Sequence, residues 1–228
     1  MSLPASISFA SLLQYVPKKY VPFSESAISV KSQKMTGGIK QDAFISEWGV
    51  YAINYAAKKA AEIASENLGI GRFIGPDAIL IPVPRRAPLV KMGLWPALRI
   101  CEELKSVGMA KEILPILERV TAVQKSATAE PDARPWPLVH YESLAAKNSI
   151  DFSEGSVVTL VDDVVTRGAT FLGAYARLKE FFPKREIRCF ALVRTKDTPI
   201  NDVLDPVVGT ITYRPPTGTQ KMYLHRDP

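Results

Sequence analysis

Val158-Thr159-Leu160-Val161-Asp162-Asp163-Val164-Val165-Thr166-Arg167-Gly168-Ala169-Thr170 is the stretch that decides the fold. It reads as an apolar strand ending in two acids, a short polar turn holding Gly168, and then a helix running to Phe182. The run from Ser156 to Val161 is a clear strand. In a doubly wound sheet, ligands sit beyond the carboxyl ends of the strands, so both acids are expected to face a crevice. The turn from Thr166 to Thr170 offers backbone N–H groups and two hydroxyls at a helix N-terminus, which suits an anion. Gly168 lets a phosphate approach the backbone closely, and Arg167 adds a positive charge. Two carboxylates within one turn of an anion pocket suit a ligand that carries both hydroxyls and phosphate, such as a sugar phosphate.

Working outward, Ala78 to Val83 is a second short apolar run and a second expected strand. A helix is expected over roughly Leu89–Val107, with Pro96 as its kink or fresh start. Glu112–Leu117 is an expected strand held to an edge by Pro115. Glu186–Val193 and Gly209–Tyr213 are further strands. Residues 119–156 show little periodicity and read as a long loop. Toward the N-terminus, Gln41–Asn67 fits one long helix in which Phe44, Trp48, Tyr51, Tyr55 and Ile63 form a stripe expected to pack in a core. The first 40 residues read as irregular, broken by Pro17, Pro22 and Gly37-Gly38. Strands alternating with helices predict an α/β fold with a doubly wound, mostly parallel sheet and helices on both faces. The expected parts are a helical N-terminal extension or hood at 1–76, a core at 77–195, and a C-terminal strand and tail at 196–228.

The chain has 228 residues, 46% hydrophobic and 23% charged, which excludes disordered and fibrous classes. No run of about 18 apolar residues is present, so no membrane association is expected. Met1 to Tyr20 has no basic leader before its apolar stretch, so a signal peptide is not expected. Cys101 and Cys189 are far apart and, with only His140 and His225 beside them in the inventory, make neither a disulfide framework nor a zinc site. A reducing, cytoplasmic setting follows as the expectation. The net charge of +6 points to a polyanionic partner or a small phosphorylated ligand. Gly69 to Gly75 does not have the dinucleotide fingerprint spacing, and no ATPase phosphate loop occurs.

The thirteen residues from Val158 to Thr170 closely resemble the phosphoribosyl-pyrophosphate (PRPP) signature of type I phosphoribosyltransferases. The Arg167 position looks most like the amidophosphoribosyltransferase version. The resemblance implies that Asp162 and Asp163 are the catalytic pair, contacting the ribose hydroxyls directly or through water bound to Mg2+. It implies that Thr166, Arg167, Gly168, Ala169 and Thr170 hold the 5′-phosphate. Ile81-Pro82-Val83-Pro84-Arg85-Arg86 resembles the pyrophosphate loop of this family, with a Pro-Val-Pro pattern shared by ComF-like competence proteins. Pro84, Arg85 and Arg86 would then face the diphosphate. Arg119 to Ser126, with the spacing of Arg119, Thr121 and Gln124, resembles the lid, and Lys125 and Arg134 are its candidate cations. His140-Tyr141 follows in the same stretch, and a structural role is the stronger expectation for that histidine.

There are departures as well. The chain lacks the cysteines of the zinc ribbon common in ComF-like proteins, and Ser2 stands where a glutaminase would carry its cysteine. Glutamine-dependent amide transfer is therefore not expected. The implied activity is transfer of a phosphoribosyl group from PRPP, with Mg2+ as cofactor, to an unidentified nitrogen acceptor, releasing pyrophosphate. The alternative is a non-catalytic regulator that senses PRPP or a nucleotide, acting with nucleic acid or a protein partner. A homodimer is compatible with either. Nucleic acid rests on charge alone, and Lys18-Lys19 and Lys58-Lys59 read as solvated faces.

Overall fold

In a computed structural model, the described residues are 3–46, 49–88, 93–124, 135–147, 157–216 and 223–227. In chain order the elements begin with β1 (Ser6–Tyr15), α1 (Ala27–Gln41), a hairpin of β2 (Phe44–Ile45) and β3 (Val50–Tyr51), α2 (Ala52–Glu66) and the single turn α3 (Leu68–Gly71). The middle of the chain forms β4 (Ala78–Pro82), α4 (Pro96–Ser106), β5 (Glu112–Ile113), β6 (Leu117–Arg119), α5 (Pro137–Glu142) and β7 (Leu144–Ala146). Then follow β8 (Val157–Val165), α6 (Ala169–Phe181), β9 (Ile187–Thr195), β10 (Leu204–Arg214) and β11 (Tyr223–Asp227).

A seven-stranded sheet runs in the order β11-β10-β1-β9-β8-β4-β5. The five strands from β1 to β5 in that order pair in parallel, and β10 and β11 add an antiparallel flank. Alternate residues of the parallel strands enter two separate cores. Leu80, Val161, Phe190 and Leu192 pack with α1, α2 and α4 on one face. Ile79, Ile81, Leu160, Cys189 and Ala191 pack with α6 on the other. Helices therefore cover both faces, and the continuous apolar strand runs are explained by burial on each side. Both cysteines are free and buried. No described helix is long and apolar enough to cross a membrane.

The N-terminal segment departs from the irregular reading. β1 lies inside the sheet, with Phe9 opposite Cys189 on one side and Gly209 on the other. Helix α1 forms despite a polar sequence because its hydroxyls are satisfied locally: Ser26 caps Ser29 N–H at 3.2 Å, Ser32 Oγ donates to Ser29 O, and Thr36 Oγ1 donates to Ser32 O. Gly38 is required where α1 meets α2, since a Cβ there would lie 2.9 Å from Ala52 Cβ.

The expected helix over 41–67 is also broken. Asp42 takes a left-handed conformation at φ 48° and ends α1, and the hairpin intervenes before α2. Phe44 and Tyr51 pair edge-to-face across that hairpin and are about half exposed, so they form no core stripe. Trp48 lies outside the described residues. Small side chains do the packing in α2 instead, where Ala52, Ala56, Ala57, Ala60 and Ala64 are buried.

Two further expectations change in detail. The strand over 112–117 divides into β5 and β6 on either side of Pro115, which has no N–H for a ladder. The stretch read as a long loop contains α5 and β7, and β7 pairs antiparallel with β6. Pro96 opens α4 as its first residue, as a fresh start requires.

Candidate functional site

β4 and β8 are parallel neighbours from which the chain leaves in opposite directions. It passes from β4 through α4 to β5 on one side, and from β8 through α6 to β9 on the other. Such a switch point opens a crevice at the carboxyl ends of its two strands. The loop at Pro84–Arg86 follows β4, and the acids and the Gly168 turn belong to β8 and its exit. The acids do not lie beyond the strand end. β8 continues to Val165 against β9, with Asp162 opposite Ala191, but its pairing with β4 stops at Val161. Asp162 and Asp163 are therefore on the part of β8 that has outrun β4, with that edge of the strand unpaired by β4.

Both acids are half-buried. Asp163 N–H donates to Asp162 Oδ1 at 2.9 Å, and Val164 N–H donates to Asp163 Oδ1 at 2.8 Å. Burial, and then the neighbouring Asp163 charge, push the Asp162 carboxyl well above the usual carboxylate range, and Arg119 opposes the shift. Two adjacent carboxylates, one already disfavoured as an anion, suit a divalent cation. Mg2+ characteristically uses one or two carboxylates plus substrate phosphates. Among the described residues no group of three or more His, Cys, Asp or Glu side chains gathers as a metal cage.

Gly168 has φ 90° and caps α6. A Cβ there would lie 2.5 Å from Ile211 Cδ1 on β10, so both conformation and space demand glycine. No side chain caps the helix and no acid occupies its first turn, so its first amides face whatever the turn encloses. Thr166 is exposed; Arg167 is half-buried and stacks over Trp136 at 5.1 Å. Ala169 and Thr170 form the first turn of α6.

On the β4 side Pro84 is buried, whereas Arg85 and Arg86 are exposed. The loop's carbonyls are tied down one by one. Val83 O accepts from Trp95 Nε1 at 2.8 Å, Arg85 O from Arg119 Nε at 3.0 Å, and Arg86 O from Val123 N at 2.7 Å. The Arg85 guanidinium itself donates to Leu94 O at 2.8 Å. Lys125 and Arg134 lie outside the described residues.

Arg119, read from sequence as part of a lid, is instead a buried strut. Besides the Arg85 carbonyl it donates to His140 O and Ser143 Oγ, so one guanidinium fastens the β4 loop to the end of α5. Burial lowers its pKa to about 10, and the Asp162 charge acts in the opposite sense. A legible signal existed: in Leu117-Glu118-Arg119 the arginine falls on the buried face with Leu117, two residues away. His140 has no ring-nitrogen hydrogen bond among the described residues. It is buried where α5 crosses α6, beside Gly173, at which a Cβ would meet His140 Cβ at 2.7 Å.

A cavity of about 820 Å³ lies on another side of the same turn. Thr166 and Arg167 line it, but neither the acids nor the β4 loop does. Its walls come from the end of β1, α1, the end of β9, and β11, a strand that sequence reading missed. In comparison with known proteins, no family model matches the chain and no curated protein matches it.

Proposed function

We propose that the chain is a phosphoribosyltransferase that binds PRPP with Mg2+ in the β4/β8 crevice. It would transfer the phosphoribosyl group to a nitrogen acceptor. The observation that carries this reading is the meeting of the carboxylate pair, the uncapped α6 N-terminus and the tied β4 loop at one switch point. The resemblance of Val158–Thr170 to the PRPP signature gives that meeting its chemical sense.

In the reaction the C1–O bond to pyrophosphate breaks, a C1–N bond forms, and the acceptor nitrogen gives up a proton. The α6 amides, with Thr166 and Thr170, would receive the 5′-phosphate, and the missing cap leaves their hydrogen bonds for it. Asp162 and Asp163 would hold the ribose hydroxyls and place negative charge beside the cation that develops at C1. Mg2+, held through water by the same two carboxylates, would neutralise charge on the departing diphosphate. Arg85 and Arg86 are exposed at the loop that would receive that diphosphate, and guanidinium forks suit its oxygens. Arg119 positions the loop through the Arg85 carbonyl. No covalent enzyme intermediate is needed, because positioning and electrostatics suffice for this displacement.

Pyrophosphate release, measured with PRPP, Mg2+ and a panel of nitrogenous bases, is the test. Turnover with at least one base, lost in Asp162→Asn/Asp163→Asn, is the expected result. PRPP binding without release would convert the reading to a sensor, and no PRPP binding by calorimetry would end both.

A further inference from the structure

A pocket of about 290 Å³ opens on the far flank of α1. Lys31 and Met35, four residues apart, line it from that flank, whereas the 820 Å³ cavity takes Gln33, Thr36, Gly37 and Lys40 from the other. The pocket exists because two strands part. β1 and β10 pair Ser11 with Val207 and Leu13 with Leu204, so two steps on β1 oppose three on β10. The extra residue makes a bulge, and a bulge bends its strand and interrupts the ladder. Leu13 and Leu204 line the pocket at this point, facing Met35 of α1 and Tyr55 of α2.

The wall beyond the bulge is fixed before any ligand arrives. Gln14 N donates to Val203 O at 2.9 Å, and Gln14 Nε2 donates to Asp202 O at 2.9 Å. Asp202 Oδ1 accepts from Val203 N at 2.6 Å and from Leu204 N at 3.3 Å. The carbonyls beside the pocket are thereby engaged. Its floor is apolar, with Leu13 and Met35 each 2% exposed and Val203 7% exposed. A buried water typically makes about three hydrogen bonds, and these side chains supply no good partner. Apolar matter is the better occupant.

Size and charge narrow that occupant. An apolar cavity of about 150 Å³ takes a single benzene ring, so a space of about 290 Å³ suits two fused rings. Lys31 and Asp202 are exposed at the mouth, one charge of each sign, so a ligand with net charge gains from one and loses to the other. Met35 offers a thioether and Tyr55 a ring, and both favour aromatic neighbours.

We propose that this pocket binds a small, uncharged bicyclic aromatic molecule, its rings against Leu13, Met35 and Tyr55 and a ring N–H toward Asp202. The pocket shares no lining residue with the 820 Å³ cavity, contains none of the crevice residues, and does not depend on the crevice binding PRPP.

Indole is the probe, titrated into the full chain carrying isotope-labelled methionine methyl groups and read by NMR. The Met35 resonance, identified by its loss in Met35→Leu, should shift saturably at millimolar indole. The methyl of Met109, which packs on the same core without lining the pocket, should shift less than a third as far. Leu204→Trp fills the pocket and should weaken indole at least tenfold, whereas Leu138→Trp on the exposed side of α5 should change it less than twofold. If Leu204→Trp unfolds, the wild-type chain still decides: N-methylindole, without the N–H, and phenol, with one ring, should each bind at least threefold weaker than indole. No Met35 shift at millimolar indole, equal shifts of Met35 and Met109, equal effects of the two tryptophan variants, or phenol and N-methylindole binding as well as indole would overturn the proposal. So would displacement of indole by PRPP with Mg2+, because that would place indole in the crevice.

Discussion

On the crevice side of the Thr166–Arg167 turn, Asp162 and Asp163 stand side by side, each accepting from the backbone N–H of the next residue. On the cavity side, Arg194 and Arg226 are gripped by a carboxylate and by main-chain carbonyls of β8, β9 and β10. Burial first, and the like charge of Asp163 second, push the Asp162 carboxyl up. Arg194 is neutralised by Asp205, whereas Arg226 is held by main-chain carbonyls that leave its charge uncancelled. The contrast teaches that satisfying polar atoms and cancelling charge are separate tasks. The carboxylate pair on the crevice side keeps a charge that a cation would cancel.

The largest expected effect comes from the turn that both sides share. Gly168→Ala forces a side chain into a φ of 90° and into Ile211, and should cost about 2–4 kcal/mol in urea unfolding. It should weaken PRPP with Mg2+ as well; unchanged PRPP binding in calorimetry would show that the turn does not hold the phosphate.

Asp162→Asn/Asp163→Asn tests the acidic side alone. Its Kd for PRPP with Mg2+ should rise at least 100-fold, about 2.7 kcal/mol. The same change should raise Tm at neutral pH. A carboxyl whose folded pKa is raised contributes stability below its unfolded value, near 3.9, and that contribution is lost as pH rises through the folded value. An asparagine has no such loss. A Tm that falls at pH 7 would show the pair to be compensated in a way the contrast denies.

Arg119→Leu should cost about 2 kcal/mol in urea unfolding by stranding the Arg85 and His140 carbonyls, and should weaken PRPP binding. At neutral pH the smallest effect is at His140. Burial and Arg119 lower its pKa to about 3, so it stays neutral in the fold while the unfolded chain takes up a proton near 6.5. Stability from this residue is therefore whole above pH 6.5 and falls toward pH 3, by up to about 1.4 kcal/mol per pH unit. His140→Leu should flatten that acid slope in urea titrations between these limits. An unchanged slope would assign it to other groups.

What the sequence disclosed follows burial patterns. β4, β8 and β9 were legible because strands covered on both faces are apolar throughout, and Gly168 marked its turn because nothing larger fits. β1 was hidden by Ser6, Ser8 and Ser11, of which Ser11 is buried and accepts from Arg194. α1 was hidden by hydroxyls that bond to its own backbone and by the paired glycines. In the candidate site, the acids and the turn stood in one contiguous motif. The arginine strut, the two arginines on the cavity side and β11 depend on residues brought together from distant parts of the chain, and no local pattern encodes such meetings.

The placement of β1 bears on how the protein is made. A strand near the beginning of the sequence is wedged between β9 and β10, near its end, so the sheet is completed only when contacts spanning most of the chain have formed. Such long-range closure slows folding. Until it happens, β9 and β10 present unpaired edges to one another and to other molecules, the condition in which strands associate wrongly. Cleavage just after Tyr15 would recreate that state in the finished protein, and aggregation is the outcome to expect from it.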